Sequence, residues 1–256
     1  MAWAPSCAAS AAGRRADAVA SAGAGRLEGR EVWIFDLDNT LYPASCNLFA
    51  QVDRRMAEFV QRFLGVPYDY ARHLQKSYYR QFGTTLAGMM TVHKMEPAAF
   101  LDYVHDIDLS VVPELPELAA AIRALPGRKL IFTAGSRRHA ERVAGKLGVL
   151  AEFEDIFDIV AADYLPKPKP EPYHRFLRAH GVEPAASAMF EDMPHNLEVP
   201  HLLGMATVLV HSADDYDSLI QRQIRAWQAP PAHVHHMTDD LTSFLNVMPR
   251  GTTASR

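Results

Sequence analysis

Val32, Trp33, Ile34 and Phe35 form an apolar run with no polar interruption, followed at once by Asp36-Leu37-Asp38. A short apolar run without alternation predicts a strand covered on both faces, as in a parallel sheet. From residue 117 onward the pattern alternates between helical and extended periods. Residues 118–125 read as helix, 129–132 as strand, and 138–147 as helix ended by Gly148. Residues 156–161 read as strand, 172–180 as helix, and 187–190 as strand. A helix over 194–203, with Pro200 implying a kink, ends at Gly204 before a strand over 206–210. Residues 234–237 read as a last short strand, and 239–245 as a closing helix with Thr238 as its N-cap. This order predicts an α/β fold with a doubly wound parallel sheet.

Between residues 44 and 113 the period is helical throughout. Phe49, Val52, Met56, Phe59, Val60 and Phe63 mark one amphipathic face, and Gly65 and Pro67 punctuate its end. Tyr70, Leu74 and Tyr78 predict a second helix, and Pro97 suits the first turn of another. The chain therefore divides into a tail over 1–28, a core over 29–43 and 114–248, a helical insertion over 44–113, and a tail over 249–256.

Composition narrows the class. Hydrophobic residues at 48% and charged residues at 22% describe an ordinary soluble globular chain. A net charge of −4 lacks the basic surplus of a general nucleic-acid binder. No apolar run approaches the roughly 18 residues of a membrane span. Cys7 and Cys46 cannot build a disulfide framework or a cysteine metal site, so a reducing, cytoplasmic setting is expected. Residues 1–28 lack the continuous apolar stretch of a secretion signal.

Candidate chemistry gathers at the predicted strand ends, where parallel sheets bind their ligands. Asp36 and Asp38 suit a divalent cation, a nucleophile with an acid/base partner, or a plain turn with Asn39 and Thr40. Thr133-Ala134-Gly135-Ser136 before a helix is an anion site or an ordinary cap. Prolines at 166, 168, 170 and 172 stiffen a segment carrying Lys167 and Lys169, either to aim a lysine or to form a solvated turn. Glu191-Asp192 leaves the strand over 187–190 as two more site acids or as a simple exit to solvent.

In the order Asp-x-Asp, Thr, Lys, Glu-Asp, these residues resemble the haloacid dehalogenase superfamily over roughly residues 31–212. The first motif resembles residues 36–41, the second Phe132-Thr133, the third Lys167-Pro168, and the fourth Glu191-Asp192 with Asn196. Lys167 is preferred over Lys169 because Tyr173 stands six positions after it.

The resemblance implies a phosphatase, since Asp38 belongs to members that expel an alkoxide. It makes Asp36 the nucleophile, through an aspartyl-phosphate, and Asp38 the acid/base. Lys167 and Thr133, with the amides of Leu37, Asp38 and Ala134, would hold the phosphate. Mg²⁺ would rest on Asp36, the carbonyl of Asp38, Asp192 and Glu191. Ala134 departs from the pattern, where family members often carry Asn. The insertion resembles the family's cap, which reads the leaving group. Residues 78–86, 100–107, 233–236 and Asn39-Thr40-Leu41-Tyr42 are similar to the bacterial pyrimidine 5′-nucleotidase branch. That implies a pyrimidine nucleoside monophosphate as substrate, with Tyr42, Phe49, Tyr78 and Tyr79 as candidate contacts. A sugar phosphate or phosphoglycolate is the alternative within the same chemistry, and a non-catalytic phospho-receiver or binding module the alternative outside it. His93, His105 and His139 read as structural or rim residues, and His233, His235 and His236 as an edge strand rather than a metal site.

Overall fold

The computed structural model describes residues 27–212 and 219–248. Most of both predicted tails lies outside these residues, but Leu27 packs into the core.

Six strands form one parallel sheet in the order β3-β2-β1-β4-β5-β6. They are β1 (Val32–Phe35), β2 (Arg128–Phe132), β3 (Asp155–Phe157), β4 (Ser187–Glu191), β5 (Ala206–Val210) and β6 (His236–Thr238). β1 is central because both of its faces are buried. Trp33 and Phe35 face one core with Ile131, Ala188 and Phe190, while Val32 and Ile34 face the other with Leu130, Phe132 and Met189. This explains why the sequence of β1 does not alternate. Strand order reverses direction between β1 and β4, and that switch point opens a crevice at the strands' carboxyl ends.

Four helices make up the insertion that follows β1: α1 (Leu48–Leu64), α2 (Tyr68–Phe82), α3 (Thr85–His93) and α4 (Pro97–Val104). They pack on one another, and their buried residues join the same continuous apolar cluster as Phe35. Gly88 lets α3 approach α2, since a Cβ there would lie 2.3 Å from Tyr78 Cβ. The later helices are α5 (Pro116–Arg123), α6 (Arg137–Leu147), α7 (Pro170–His180), α8 (Glu198–Leu202), α9 (Leu219–Arg225) and α10 (Leu241–Val247). Of these, α3 and α9 had no counterpart in the periodicity. Among the described residues, no helix is long and apolar enough to cross a membrane.

Three predicted elements differ from the structure. β3 stops at Phe157 instead of running to residue 161. The Asp158 carboxylate accepts the amides of Arg137 and Ala161, which turns the chain out of the sheet. Residues 194–203 divide into a 3₁₀ turn over Pro194–Leu197 and the short α8, which begins just before Pro200. The closing helix is capped by Asp240, whose side chain accepts from the Ser243 amide at 3.0 Å, whereas Thr238 is the last residue of β6.

Candidate active site

Asp36 continues β1 by one residue, its amide donating to Phe190 O at 2.9 Å. Its carboxylate emerges at the floor of the crevice and is nearly buried. Lys167 enters from the proline-rich segment after β3. Its ammonium donates to Asp36 Oδ1 at 2.7 Å, Glu191 Oε1 at 2.6 Å and the carbonyl of Phe132 at 3.1 Å. Lys169, by contrast, is the exposed N-cap residue of α7. Tyr173 is buried one turn into α7, and its hydroxyl donates to Asn196 O at 2.7 Å. The lysine segment and the fourth-motif segment are thereby tied together.

Glu191 ends β4 with both carboxylate oxygens engaged. Oε1 accepts from Lys167 and from Asn196 Nδ2 at 2.7 Å, and Oε2 accepts from the Met193 amide at 2.8 Å. Asp192 follows at the crevice wall, 3.5 Å from Asn39 Nδ2. Oxygen atoms of Asp36, Glu191 and Asp192 all lie within 4.8 Å of one another. Thr133 is buried beyond the end of β2, and its hydroxyl accepts the Gly135 amide at 2.9 Å. Ala134, the next residue, lines the crevice.

The electrostatics follow from burial and crowding. Burial drives Asp36 upward to about 7, opposed by Lys167 and aided by Glu191 and Asp38. Asp192 is also pushed well above the usual carboxylate range by burial, with Glu191 and Asp36 adding to it. Glu191 is pushed up by burial too, but Lys167 outweighs this and holds it low. Lys167 stays protonated: burial works against its charge, and Asp36 and Glu191 overcome that. One ammonium thus serves three carboxylates, two of which resist ionising. Hard oxygen donors short of positive charge are what a small divalent cation requires, so the residues fit one.

Asp38 sits at the crevice mouth, its side chain 17% exposed. The Tyr42 hydroxyl reaches Asp38 Oδ1 at 2.7 Å, and His139 Nε2 reaches the same oxygen at 3.0 Å. Burial raises the Asp38 carboxyl, but His139 and the Tyr42 hydroxyl outweigh it and hold the group below its usual value. The sequence reading assigned His139 to structure or rim. It is 1% exposed and aimed at the acid. The available signal was its place in the first turn of α6, straight after the Thr133 loop. His105, also read as a rim residue, is stacked on His139 with ring centroids 4.3 Å apart. Burial, then His139, presses His105 down to about 3.

Above the carboxylates a chamber of about 300 Å³ extends under α1–α4. Phe49, Met56, Leu86 and Phe100 supply apolar wall, and Gln75, Tyr79 and Thr84 polar wall. Of the four candidate contacts named from the sequence, Phe49 and Tyr79 line it, and Tyr42 and Tyr78 do not. Tyr42 is spent on Asp38. Tyr78 packs inside the helical insertion, edge-on to Phe82, with its hydroxyl 2.7 Å from His93 Nε2. Thr207 bonds the backbone of His233 and His235, the His235 ring accepts the Thr207 amide at 3.2 Å and lies 3.0 Å from His201 Nδ1, and His236 begins β6.

A family model described as haloacid dehalogenase-like hydrolase matches residues 31–199. Phosphate metabolism protein 8 of Saccharomyces cerevisiae is 26% identical over 203 residues, covering 73% of this chain and 63% of that protein. Protein CbbY of Rhodobacter capsulatus is 26% identical over 147 residues, covering 53% of this chain and 63% of its own length. Each match therefore spans less than two thirds of the relative. A HAD phosphatase from Thermococcus onnurineus shares the fold at TM-score 0.55 and 15% identity, covering 86% of this chain and 99% of that one. The matched family segment runs through Asp36, Thr133, Lys167 and Asp192 alike, and the chain belongs to the haloacid dehalogenase-like hydrolases.

Proposed function

We propose that the protein is a Mg²⁺-dependent phosphomonoesterase with a pyrimidine nucleoside 5′-monophosphate as its substrate. The observation that carries the reaction class is the meeting of Asp36, Lys167, Glu191 and Asp192 at one strand-end crevice, with Asp38 beside them.

Asp36 attacks phosphorus, the ester P–O bond breaks, and the leaving oxygen takes a proton from Asp38, which the negative charge of the bound phosphate raises from the low value it has without substrate. Water then attacks the aspartyl-phosphate while Asp38 takes back a proton. Phosphate departs and Asp36 is restored. A carboxylate approaching a phosphate dianion meets about 4 kcal/mol of repulsion per unit pair at ~4 Å and an effective dielectric of ~20. Lys167 offsets part of that directly. Asp36, the carbonyl of Asp38 and Asp192 would hold Mg²⁺, and Glu191 holds Lys167 and completes the acidic set. When bound, the ion supplies further positive charge against the phosphate oxygens. Thr133 and the amides of Leu37, Asp38 and Ala134 orient the phosphate.

The chamber supports the choice of leaving group. Its volume is at the lower limit for small-molecule sites, about 300 Å³. Phe49 and Tyr79 offer ring faces for a base. Gln75 is fixed by donating Nε2 to Asp53 O at 2.9 Å and Asp53 Oδ1 at 2.7 Å. That leaves its buried Oε1 as an acceptor without a partner among the described residues. Because Oε1 has almost no accessible surface, a base N–H, as in uracil or cytosine, would satisfy it once the Gln75 side chain turns toward the chamber. The test is phosphate release from UMP, CMP, purine nucleotides, sugar phosphates and phosphoglycolate, with and without Mg²⁺. Preference for UMP or CMP is expected. Equal rates on every ester overturn the nucleotide assignment, and a phosphorylated protein without turnover overturns the enzyme.

A further inference from the structure

Two donors, Tyr42 and His139, converge on a single oxygen of Asp38. A carboxyl oxygen that accepts twice is fixed in direction, so Oδ2 is left to carry a proton toward the leaving group. Tyr42 comes from the turn that bears Asp38 itself, only four residues on. His139 comes from another element altogether, the first turn of α6, where its amide donates to Ser136 Oγ at 3.3 Å. Its ring is held flat against His105, with an interplanar angle of 15°. His105 directly follows α4, where the chain leaves the helical insertion.

The same stretch is fastened to α6 at two further points. Ser136 Oγ lies 3.0 Å from His105 Nδ1. Arg142 donates to the carbonyls of His105 at 2.8 Å and Ile107 at 3.3 Å. Gly135 packs closely under the pair: a Cβ there would crowd His139 Cδ2 at 3.1 Å and make ordinary contact with His105 Nε2 at 3.6 Å.

A buried histidine with a purely structural role would serve equally well bonded to a backbone carbonyl. His139 is instead spent on a site carboxylate, and its other face is occupied by a residue of the insertion's exit. We infer that His139 is a positioning residue for Asp38, and that His105 holds His139 in place, so that proton delivery is assembled only while the helical insertion is seated on the sheet. This rests on the phosphomonoesterase reading, in which Asp38 protonates the leaving oxygen. The insertion then does more than enclose the substrate, because its exit segment sets the geometry of the acid.

The consequence is selective. An alkoxide leaving group requires the proton, whereas p-nitrophenolate leaves without one. The value of kcat/KM reports steps up to phosphoryl transfer onto Asp36, where that requirement lies. It is measured with Mg²⁺ saturating on UMP, or the best alkyl phosphate, and on p-nitrophenyl phosphate. His139→Leu should lower the alkyl value about 100-fold, the lower range for general acid catalysis, and the aryl value less than about 5-fold. His139→Gln, whose amide nitrogen can take the place of Nε2, should recover part of the alkyl loss. His105→Ala, which leaves His139 and Asp38 in the chain, should show the same selectivity at about tenfold, and His105→Phe should restore it by keeping the stack. Equal losses on both esters in His139→Leu and His105→Ala overturn the proposal alone. Failure of the unmodified protein to hydrolyse any ester overturns the phosphomonoesterase reading, and this proposal with it.

Discussion

The Lys167 ammonium lies 2.7 Å from Asp36 Oδ1, and both groups are buried, so the proposed nucleophile and its counter-charge form one unit before any substrate arrives. Glu191 Oε1 holds the same ammonium at 2.6 Å.

Replacing Lys167 by Met removes a positive charge worth about 4 kcal/mol for a single unit pair at ~4 Å, so phosphate release should fall by at least about 10³-fold. Circular dichroism should still show a folded protein when Mg²⁺ is present. Turnover within about tenfold of the unmodified protein would sink the role given to this lysine. Lys169→Met, at the exposed N-cap of α7, should leave the rate unchanged.

Much of this site was readable in the sequence because each of its parts is a short polar break after an apolar run. Asp36, Thr133 and Asp192 are of that kind, and strand ends in a parallel sheet converge by topology alone, whereas Lys167 was marked by the prolines around it. The choice between Lys167 and Lys169 depended on Tyr173, which the structure ties to the Asn196 carbonyl. His139 and His105 were not readable in the same way. They are 34 residues apart in sequence, and their meeting depends on how the insertion exit lies along α6, which periodicity does not encode. Tyr78 shows the same limit, because a helical stripe does not say which of its aromatics faces the chamber. The shortened β3 failed for a local reason, the capture of two amides by Asp158.

The chamber and the core of the insertion should separate under mutation. Tyr78→Phe loses the hydroxyl contact with His93 and should cost about 1 kcal/mol of stability with KM unchanged. Phe49→Ala or Tyr79→Ala should instead raise KM for UMP about tenfold, the lower range for stacking on one base. Gln75→Leu should raise KM for UMP by a similar factor of about ten, and leave a sugar phosphate without an N–H group unaffected. Parallel KM changes on both kinds of ester would remove Gln75 from base recognition.

Gly88 sets the spacing of α2 and α3. A Cβ there would meet Tyr78 Cβ at 2.3 Å and Cγ at 2.5 Å, and neither atom lies at the end of a flexible chain. Gly88→Ala should therefore force the two helices apart and cost about 3 kcal/mol in denaturant unfolding, the upper range for overpacking. Unchanged stability would mean that the helices can slide at no cost.

Metal dependence and pH dependence share one cause, and its sign can be worked out. Burial and neighbouring acids raise Asp36 to about 7 from its ordinary 3.8. Between those values the folded chain keeps a proton that the unfolded chain has lost, so this group makes stability fall as pH rises from about 4 to about 7. Glu191 and Asp38 are held low and act in the opposite sense, stabilising above their unfolded values and losing that contribution as pH falls. The Asp36 part is isolated by comparing the protein with Asp36→Asn, which should also abolish phosphate release while remaining folded. In chelator, the unfolding free energy of the unmodified protein minus that of the variant should decline across this window. Adding Mg²⁺ at 100 times its dissociation constant should stabilise the unmodified protein by about 2.7 kcal/mol near neutral pH and much less near pH ~4, where the carboxylates must first lose protons. Chelator should stop phosphate release and Mg²⁺ should restore it. A flat difference across the window would mean that Asp36 ionises freely in the folded chain. Turnover that persists in chelator would remove the cation from the mechanism and leave Lys167 as the counter-charge to Asp36.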